Sequence, residues 1–236
     1  GRGGERVNYE GKTKIVKVTG DYALLEFKDD ITAGDGLKHD VLTGKGSICA
    51  ETTAILMKYL SEKDIKTHLV EYIPPRTLKV IPLKMFPLEV VVRLKKAGSF
   101  VRRYGGAEGE DLPVPLVEFF IKDDERHDPM VCVDHLEILG IATKKQAEKM
   151  KEAAVKITLA LKEFFERANF ELWDIKYEFG LDKDGNVVLG DEISPDTFRL
   201  RKKGEIFDKD VYRRDLGDPL KKYREVLELC RSLNSQ

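Results

Sequence analysis

Residues 172–199 constrain this chain more than any other stretch. Trp173, Ile175, Tyr177, Phe179 and Leu181 alternate with Asp174, Lys176 and Glu178, and a period of two sends the two sets to opposite faces of a strand. One face suits a core, the other chemistry. Asp184-Gly185 is the strongest short hairpin signal in the chain, a type I′ pair whose two-residue loop sets the register. With Lys183 facing Asn186, counting back places Glu178 opposite Asp191, their Cβ atoms on one face and roughly 5 Å apart. Like charges so placed destabilise a sheet unless something neutralises them. A divalent cation would do so, and two carboxylates with open water positions suit Mg²⁺ held jointly with a substrate phosphate. The alternative is a solvated polar face on an edge hairpin, with Lys176 neutralising one carboxylate.

The rest of the chain is long enough to bury a substantial core, as one large domain or two small ones sharing a cleft. Lys+Arg total 41 against 42 for Asp+Glu, a balance that argues against a nucleic-acid or membrane-surface protein. No apolar run reaches bilayer-spanning length and the N-terminus lacks an apolar signal region, so we expect a soluble, cytoplasmic protein. Cys49, Cys132 and Cys230 are far apart and in no metal-ligand spacing, which predicts reduced packing thiols. Gly1-Arg2-Gly3-Gly4 reads as a flexible terminus.

Along the chain, short apolar alternations between Val7 and Phe27 predict an antiparallel meander. Its first turn holds Gly11-Lys12-Thr13-Lys14, which is not a P-loop: position 6 is Arg, and Ile15, Val16 and Val18 continue as strand where a helix would be needed. A glycine turn between antiparallel strands can still fold over nucleotide phosphates through backbone N–H groups and lysines. An ordinary charged hairpin is the competing reading. Asp29 to Gly36 reads as a loop rich in carboxylates, either a solvated turn or a site loop. Ile48, Thr52, Ile55, Leu56, Tyr59 and Leu60 predict an amphipathic helix that Ser47 could cap. Thr67 to Val80 holds two strands around Pro74-Pro75, and Met85-Phe86-Pro87 breaks the pattern, as a crossing between subdomains would.

The next strand puts Glu89, Val91 and Arg93 on one face and runs to Ala97-Gly98-Ser99, with Arg102 beyond. A Gly-Ser turn flanked by arginines offers free N–H groups, a hydroxyl and guanidinium forks to a phosphate monoester. Basic clusters also sit in water, so both readings stay open there. Gly105 to Pro115 reads as a loop long enough to be a flap, and a dense polar loop spans Lys122 to Pro129. Thr143-Lys144-Lys145-Gln146 fits a capping box, opening a long helix with Ala147, Met150, Ala154, Ile157, Leu161, Phe164 and Ala168 on its apolar face and Asn169 at its end. Asp218-Pro219 opens a last helix through Leu220, Tyr223, Leu227 and Cys230. These pieces describe a two-lobed α+β fold: an antiparallel β-rich N-terminal lobe over residues 1–84, a larger α+β lobe over residues 85–236, and a cleft between them. A kinase, a ligase and a non-enzymatic nucleotide-binding regulator all remain compatible with spacing alone.

Read together, Gly11-Lys12-Thr13-Lys14, Asp30-Ile31-Thr32-Ala33-Gly34-Asp35-Gly36, Glu89-Val90-Val91-Val92-Arg93 running to Ala97-Gly98-Ser99, His127-Asp128-Pro129 and the run from Asp191-Glu192-Ile193-Ser194-Pro195-Asp196 to Arg199 closely resemble the SAICAR synthetases. The resemblance runs from Tyr9 to the final helix; Arg201 departs from the residue many members carry after Leu200. It implies an ATP-dependent ligation of L-aspartate to the carboxylate of carboxyaminoimidazole ribonucleotide (CAIR) through an acyl phosphate, with Mg²⁺, in a homodimer. It further implies that Gly11, Lys12, Thr13 and Lys14 hold ATP phosphates and that the backbone near Lys84 and Met85 meets adenine. Glu178 and Asp191 would hold the metal and, with Lys176, form the catalytic centre. Arg93, Ser99 and Arg199 would bind the ribonucleotide phosphate. Asp174 and Asp196 would contact ribose or orient Lys176, and Asp35, Lys122 and Asp128 would line the imidazole or aspartate site.

Overall fold

A computed structural model describes residues 7–235; the expected flexible terminus at residues 1–4 lies outside them. In chain order the elements are β1 (Val7–Glu10), β2 (Lys14–Thr19), β3 (Tyr22–Phe27), β4 (Asp30–Ala33), β5 (Lys38–Val41), α1 (Lys45–Glu62), β6 (Leu69–Ile73), β7 (Thr77–Val80), β8 (Lys84–Met85), β9 (Leu88–Lys95), α2 (Ser99–Tyr104) and β10 (Asp111–Ile121). There follow β11 (Met130–Val131), α3 (Val133–Ile138), α4 (Lys144–Glu166), β12 (Glu171–Tyr177), β13 (Phe179–Leu181), β14 (Val187–Leu189), β15 (Phe198–Lys202), β16 (Glu205–Ile206), α5 (Asp210–Arg213) and α6 (Pro219–Asn234). The meander forms as expected, within a five-stranded antiparallel sheet ordered β1-β2-β3-β7-β6. Along β3 the period of two turns Ala23, Leu25 and Phe27 into a core.

The second sheet has six antiparallel strands ordered β11-β10-β9-β12-β15-β16, and alternation gives it two different faces. Leu88, Val90, Val92 and Ile175 face the core under α4, whose Ala147, Met150, Ala154, Ile157, Leu161 and Phe164 are buried as their spacing requires. Removing a side chain such as Phe164 from water contributes about 1.5–3 kcal/mol. Thr143 caps α4 reciprocally with Gln146, and Asn169 closes it with a left-handed backbone at φ 62°. The opposite face of the sheet, carrying Glu89, Val91 and Arg93, opens onto a cavity.

Four expectations change. Helix α1 begins at Lys45, before Ser47, because Gly46 meets the Phe27 and Lys28 carbonyls so closely that a Cβ would lie 2.5 Å from Phe27 O, while its N–H donates to Asp29 Oδ1 over 2.9 Å. The helix is also buried nearly all round: Ile48, Cys49 and Ala54 face the first core, Leu56, Met57 and Leu60 the second. The Asp29–Gly36 loop is largely strand β4, paired with β5. The flap from Gly105 to Pro115 is tied back to β9, with Lys96 N donating to Glu110 O and Gly109 N to Lys96 O, each over 2.8 Å. Finally, Cys49 and Cys230 are buried but Cys132 is exposed, its Sγ 3.2 Å from His135 Nδ1. Helix α6 returns to pack along α1, bringing Tyr223 and Leu227 into the N-terminal core.

Candidate active site

The hairpin that carries the two acids differs from the sequence expectation by one residue. Asp182, not Lys183, faces Asn186, leaving Lys183, Asp184 and a left-handed Gly185 (φ 80°) as a three-residue loop. The Asp182 carboxylate sets this register by accepting from the backbone N–H groups of Asp184 (2.9 Å) and Asn186 (2.8 Å). The ladder therefore pairs Phe179 with Leu189 and puts Gly190, not Asp191, beside Glu178; Gly190 N donates to Glu178 O over 2.9 Å. A slip of one ordinarily moves a side chain to the other face. Asp191 recovers it through a left-handed backbone, φ 51°, which brings its carboxylate close enough to that of Glu178 for each to shift the other's titration.

Each acid has an ammonium beside it. Lys14 Nζ lies 3.2 Å from Asp191 Oδ1, 2.6 Å from Glu192 Oε1 and 3.1 Å from Thr13 Oγ1. Lys122 Nζ donates to Glu178 Oε1 over 2.5 Å, so Lys122 belongs to this centre. Burial opposes the Lys14 charge, but Asp191 and Glu192 outweigh it and hold its pKa above the ordinary lysine value. Burial and the Asp191 charge push the Glu178 carboxyl up against the opposing pull of Lys122. Lys84 and Met85 pair with Leu181 and Gly180, and a Cβ added at Gly190 would lie 3.2 Å from Met85 Sδ, so the expected hinge stretch abuts this hairpin.

The cavity, about 600 Å³, lies one step along the same strand. Cross-strand pairing sets Asp174 opposite Arg93 on one side and opposite Arg199 on the other. Asp174 Oδ2 accepts from Arg199 over 2.9 Å and lies 3.6 Å from Arg93. Arg93 is 3% exposed; it donates to Glu118 Oε1 (2.6 Å), Ala97 O (3.1 Å) and Ser99 Oγ (2.8 Å). Lys176 reaches the same cavity, 3.7 Å from Glu89.

Asp196 borders the cavity, yet its carboxylate is engaged inside: Oδ1 accepts from Tyr223 Oη over 2.6 Å and Oδ2 pairs with the buried Lys45. Burial notwithstanding, Lys45 above all, with Lys209 and Tyr223, holds this carboxyl far below the usual range. Cys49, Glu192 and Asp196 bring ligand-type atoms within 4.8 Å of one another, and Lys45 and Lys14 supply the positive charge there. Lys12, Asp35 and Asp128, also expected at the site, lie outside the cavity lining and make contacts elsewhere. Lys12 is 3.5 Å from Asp124, Asp35 is 3.1 Å from His127 Nδ1, and Asp128 Oδ1 accepts from Asp123 N over 2.7 Å, fixing its own loop. Gly11 N donates to Lys14 O over 2.8 Å and closes the turn that aims Lys14.

Sequence reasoning missed Lys45, His68, Glu118, Glu192, Asp210 and Arg213. Asp210 accepts from Arg199 Nε (2.8 Å), Arg201 (2.5 Å) and Arg213 (2.9 Å), and lines the cavity with Arg213 and Arg214. The dense charge of residues 199–214 was its only signal. A carboxylate pair at the end of β12, next along the chain from a guanidinium-lined cavity, suits an enzyme that brings a nucleotide to an anionic substrate.

A family model described as SAICAR synthetase matches residues 7–230. Phosphoribosylaminoimidazole-succinocarboxamide synthase of Thermotoga maritima is 99% identical over 230 residues, 98% of this chain and 100% of that protein. A solved SAICAR synthetase, 96% identical, superposes with a TM-score of 0.90 over 97% of this chain and 100% of that one. A SAICAR synthetase (Type-2) solved in complex with ADP is 43% identical, with a TM-score of 0.92 over 95% and 97% of the two chains. This chain belongs to the SAICAR synthetase family, which catalyses the ATP-dependent ligation of aspartate to CAIR in purine biosynthesis.

Proposed function

We propose that this chain joins L-aspartate to CAIR in two steps at the paired sites described above. A CAIR carboxylate oxygen attacks the γ-phosphorus of ATP and ADP leaves; the aspartate amine, as the free base, then attacks the acyl carbon, the C–O bond to phosphate breaks, and inorganic phosphate departs as the nitrogen releases a proton to water or to the phosphate. Loss of oxide from a carboxylate is prohibitive, whereas loss of phosphate is not. The chain's part is positioning and charge neutralisation.

One observation carries the reading: Asp174 and Lys176 line the cavity and Glu178 follows two residues on, so the guanidinium end at Asp174 and the acid pair stand roughly 13 Å apart at about 3.3 Å per residue, with Lys176 between them. A ribonucleotide whose phosphate sits between Arg93, Ser99 and Arg199 would extend past Lys176 toward Glu178. Lys14 and the Gly11 turn would hold the triphosphate, with Lys12 and Thr13 beside them, and the backbone at Lys84 and Met85 would meet adenine. The likeness to a relative solved with ADP supports nucleotide binding here. Residues 1–84 would then form the nucleotide lobe and residues 85–236 the substrate lobe.

Mg²⁺ fits the acid pair: Glu178 and Asp191 offer adjacent hard oxygen donors at a point where two lysines already mark a demand for positive charge. When bound, the metal would offset charge on the transferring phosphoryl group. Asp174 would hold Arg93 and Arg199 in line, and Lys122 would restrain Glu178. A cytoplasmic homodimer completes the proposal; the groove of Phe100, Tyr104 and Met130 beside β10 is the apolar surface that supports pairing.

ADP release measured with each substrate omitted in turn tests the reaction. Turnover should require CAIR, ATP and L-aspartate together. A stable phosphorylated product without aspartate would make the chain a kinase, and nucleotide binding without turnover a regulator. Asp191→Asn should abolish turnover in a folded protein; near-normal activity would remove it from the centre.

A further inference from the structure

His68 lies outside the acid pair and the cavity lining, between α1 and β6, and is 4% exposed. Its backbone is fixed on both sides: N donates to Leu189 O over 2.9 Å, and O accepts from Ile81 N over 2.8 Å. Thr67, just before it, bridges to Leu189 in parallel. The ring therefore has little freedom. Its Nε2 stands 3.1 Å from the carbonyl oxygen of Asp191. A carbonyl only accepts, so Nε2 carries the hydrogen.

Asp191 is where the hairpin departs from regular geometry. Its φ of 51° costs an L-residue about 1–2 kcal/mol, and such a conformation persists only where the surroundings over-determine it. The carbonyl and the side chain of one residue are joined through Cα, so holding the first constrains the second. We infer that His68 is a positioning residue for Asp191: its ring N–H grips the Asp191 carbonyl, keeps that backbone left-handed, and so keeps the carboxylate against Glu178 and Lys14. The grip comes from the N-terminal part of the chain and acts on a hairpin in the C-terminal part. The inference rests on the metal and phosphate role proposed above for the acid pair.

The test compares His68→Leu, which removes the donor, with His68→Gln, whose amide keeps one. Mn²⁺ binding in the presence of ADP, followed by electron paramagnetic resonance of the free ion, reads the acid pair directly; the KM for CAIR reads the cavity. His68→Leu should weaken Mn²⁺ binding about 10–100-fold, the usual range for removing an outer-shell partner, with the KM for CAIR unchanged, and His68→Gln should restore most of the loss. Unchanged Mn²⁺ binding in His68→Leu overturns the inference. So does a loss of Mn²⁺ binding, CAIR affinity and melting temperature together that His68→Gln fails to rescue. Asp191→Asn separates the two levels: if it still binds Mn²⁺, the role of the pair itself is wrong, whereas if it loses Mn²⁺ and His68→Leu does not, only the positioning is wrong.

Discussion

Lys122 Nζ lies 2.5 Å from Glu178 Oε1, so a lysine from the polar loop after β10 restrains an acid on the central hairpin. Lys14 does the same for Asp191 and Glu192. Three carboxylates thus face two ammonium groups at a largely buried point, and negative charge is left in excess. Binding sites for cations are built in this way: the ligand-free protein carries electrostatic strain that the ligand relieves.

That strain has a sign in pH. Burial, then the charge of Asp191, pushes the Glu178 carboxyl from its ordinary 4.5 up to about 7. The folded chain therefore holds a proton that the unfolded chain releases, and stability falls as pH rises across that window. The full penalty, on the order of 3 kcal/mol, is present above the folded value. With divalent ions chelated, Glu178→Gln should unfold at higher guanidinium concentration than the natural sequence at pH 8, by an amount that shrinks toward pH 5, while losing turnover. A variant less stable than the natural chain at pH 8 would show that Lys122 already neutralises the site.

Arg93 and Ser99 separate binding from folding. Arg93→Ala would leave Glu118 with Arg103 alone and strip Asp174 of one guanidinium, so it should cost about 3–5 kcal/mol of stability besides weakening the substrate. Ser99→Ala removes only the hydroxyl that accepts from Arg93, worth about 0.5–1.5 kcal/mol. Steady-state kinetics should show the KM for CAIR rising in both variants and the KM for ATP unmoved in Ser99→Ala. An equal rise in both constants would place Ser99 outside the ribonucleotide phosphate site.

Much of this was legible from spacing. The period of two along β9 and β12 put Arg93, Asp174, Lys176 and Glu178 on one face, and the capping box marked the start of α4, because local geometry alone decides both. The hairpin register was not legible. An Asp-Gly pair favours a two-residue loop, but the Asp182 carboxylate two residues before it captures the loop's N–H groups and shifts the ladder by one. The role of Asp196 was hidden for another reason: its partners Lys45 and Tyr223 lie far off in sequence, and only the return of α6 along α1 brings them together. Lys45 stands between two glycines, ahead of the Ser47 that the spacing offers as a cap, and nothing local distinguishes a loop lysine from one that starts a buried helix.

Gly98 supplies a test of the guanidinium row that leaves every charge in place. Its φ of 54° is one that L side chains rarely adopt, and a Cβ there would overlap the Arg199 guanidinium. Relieving that overlap must break one of the charge-assisted bonds, 2.9 and 2.8 Å long, by which Asp174 and Asp210 hold the guanidinium in the cavity. Gly98→Ala should therefore displace Arg199 from the cavity and raise the KM for CAIR by about tenfold or more, a loss of about 1.4 kcal/mol per factor of ten. Gly105→Ala is the control, because Gly105 is equally left-handed at φ 78° but has nothing within 4 Å of its would-be Cβ. It should lose about 1–3 kcal/mol of stability through backbone strain and keep the natural KM. If the two variants shift the KM for CAIR alike, strain at either end of α2 controls the cavity, and the position of Arg199 does not.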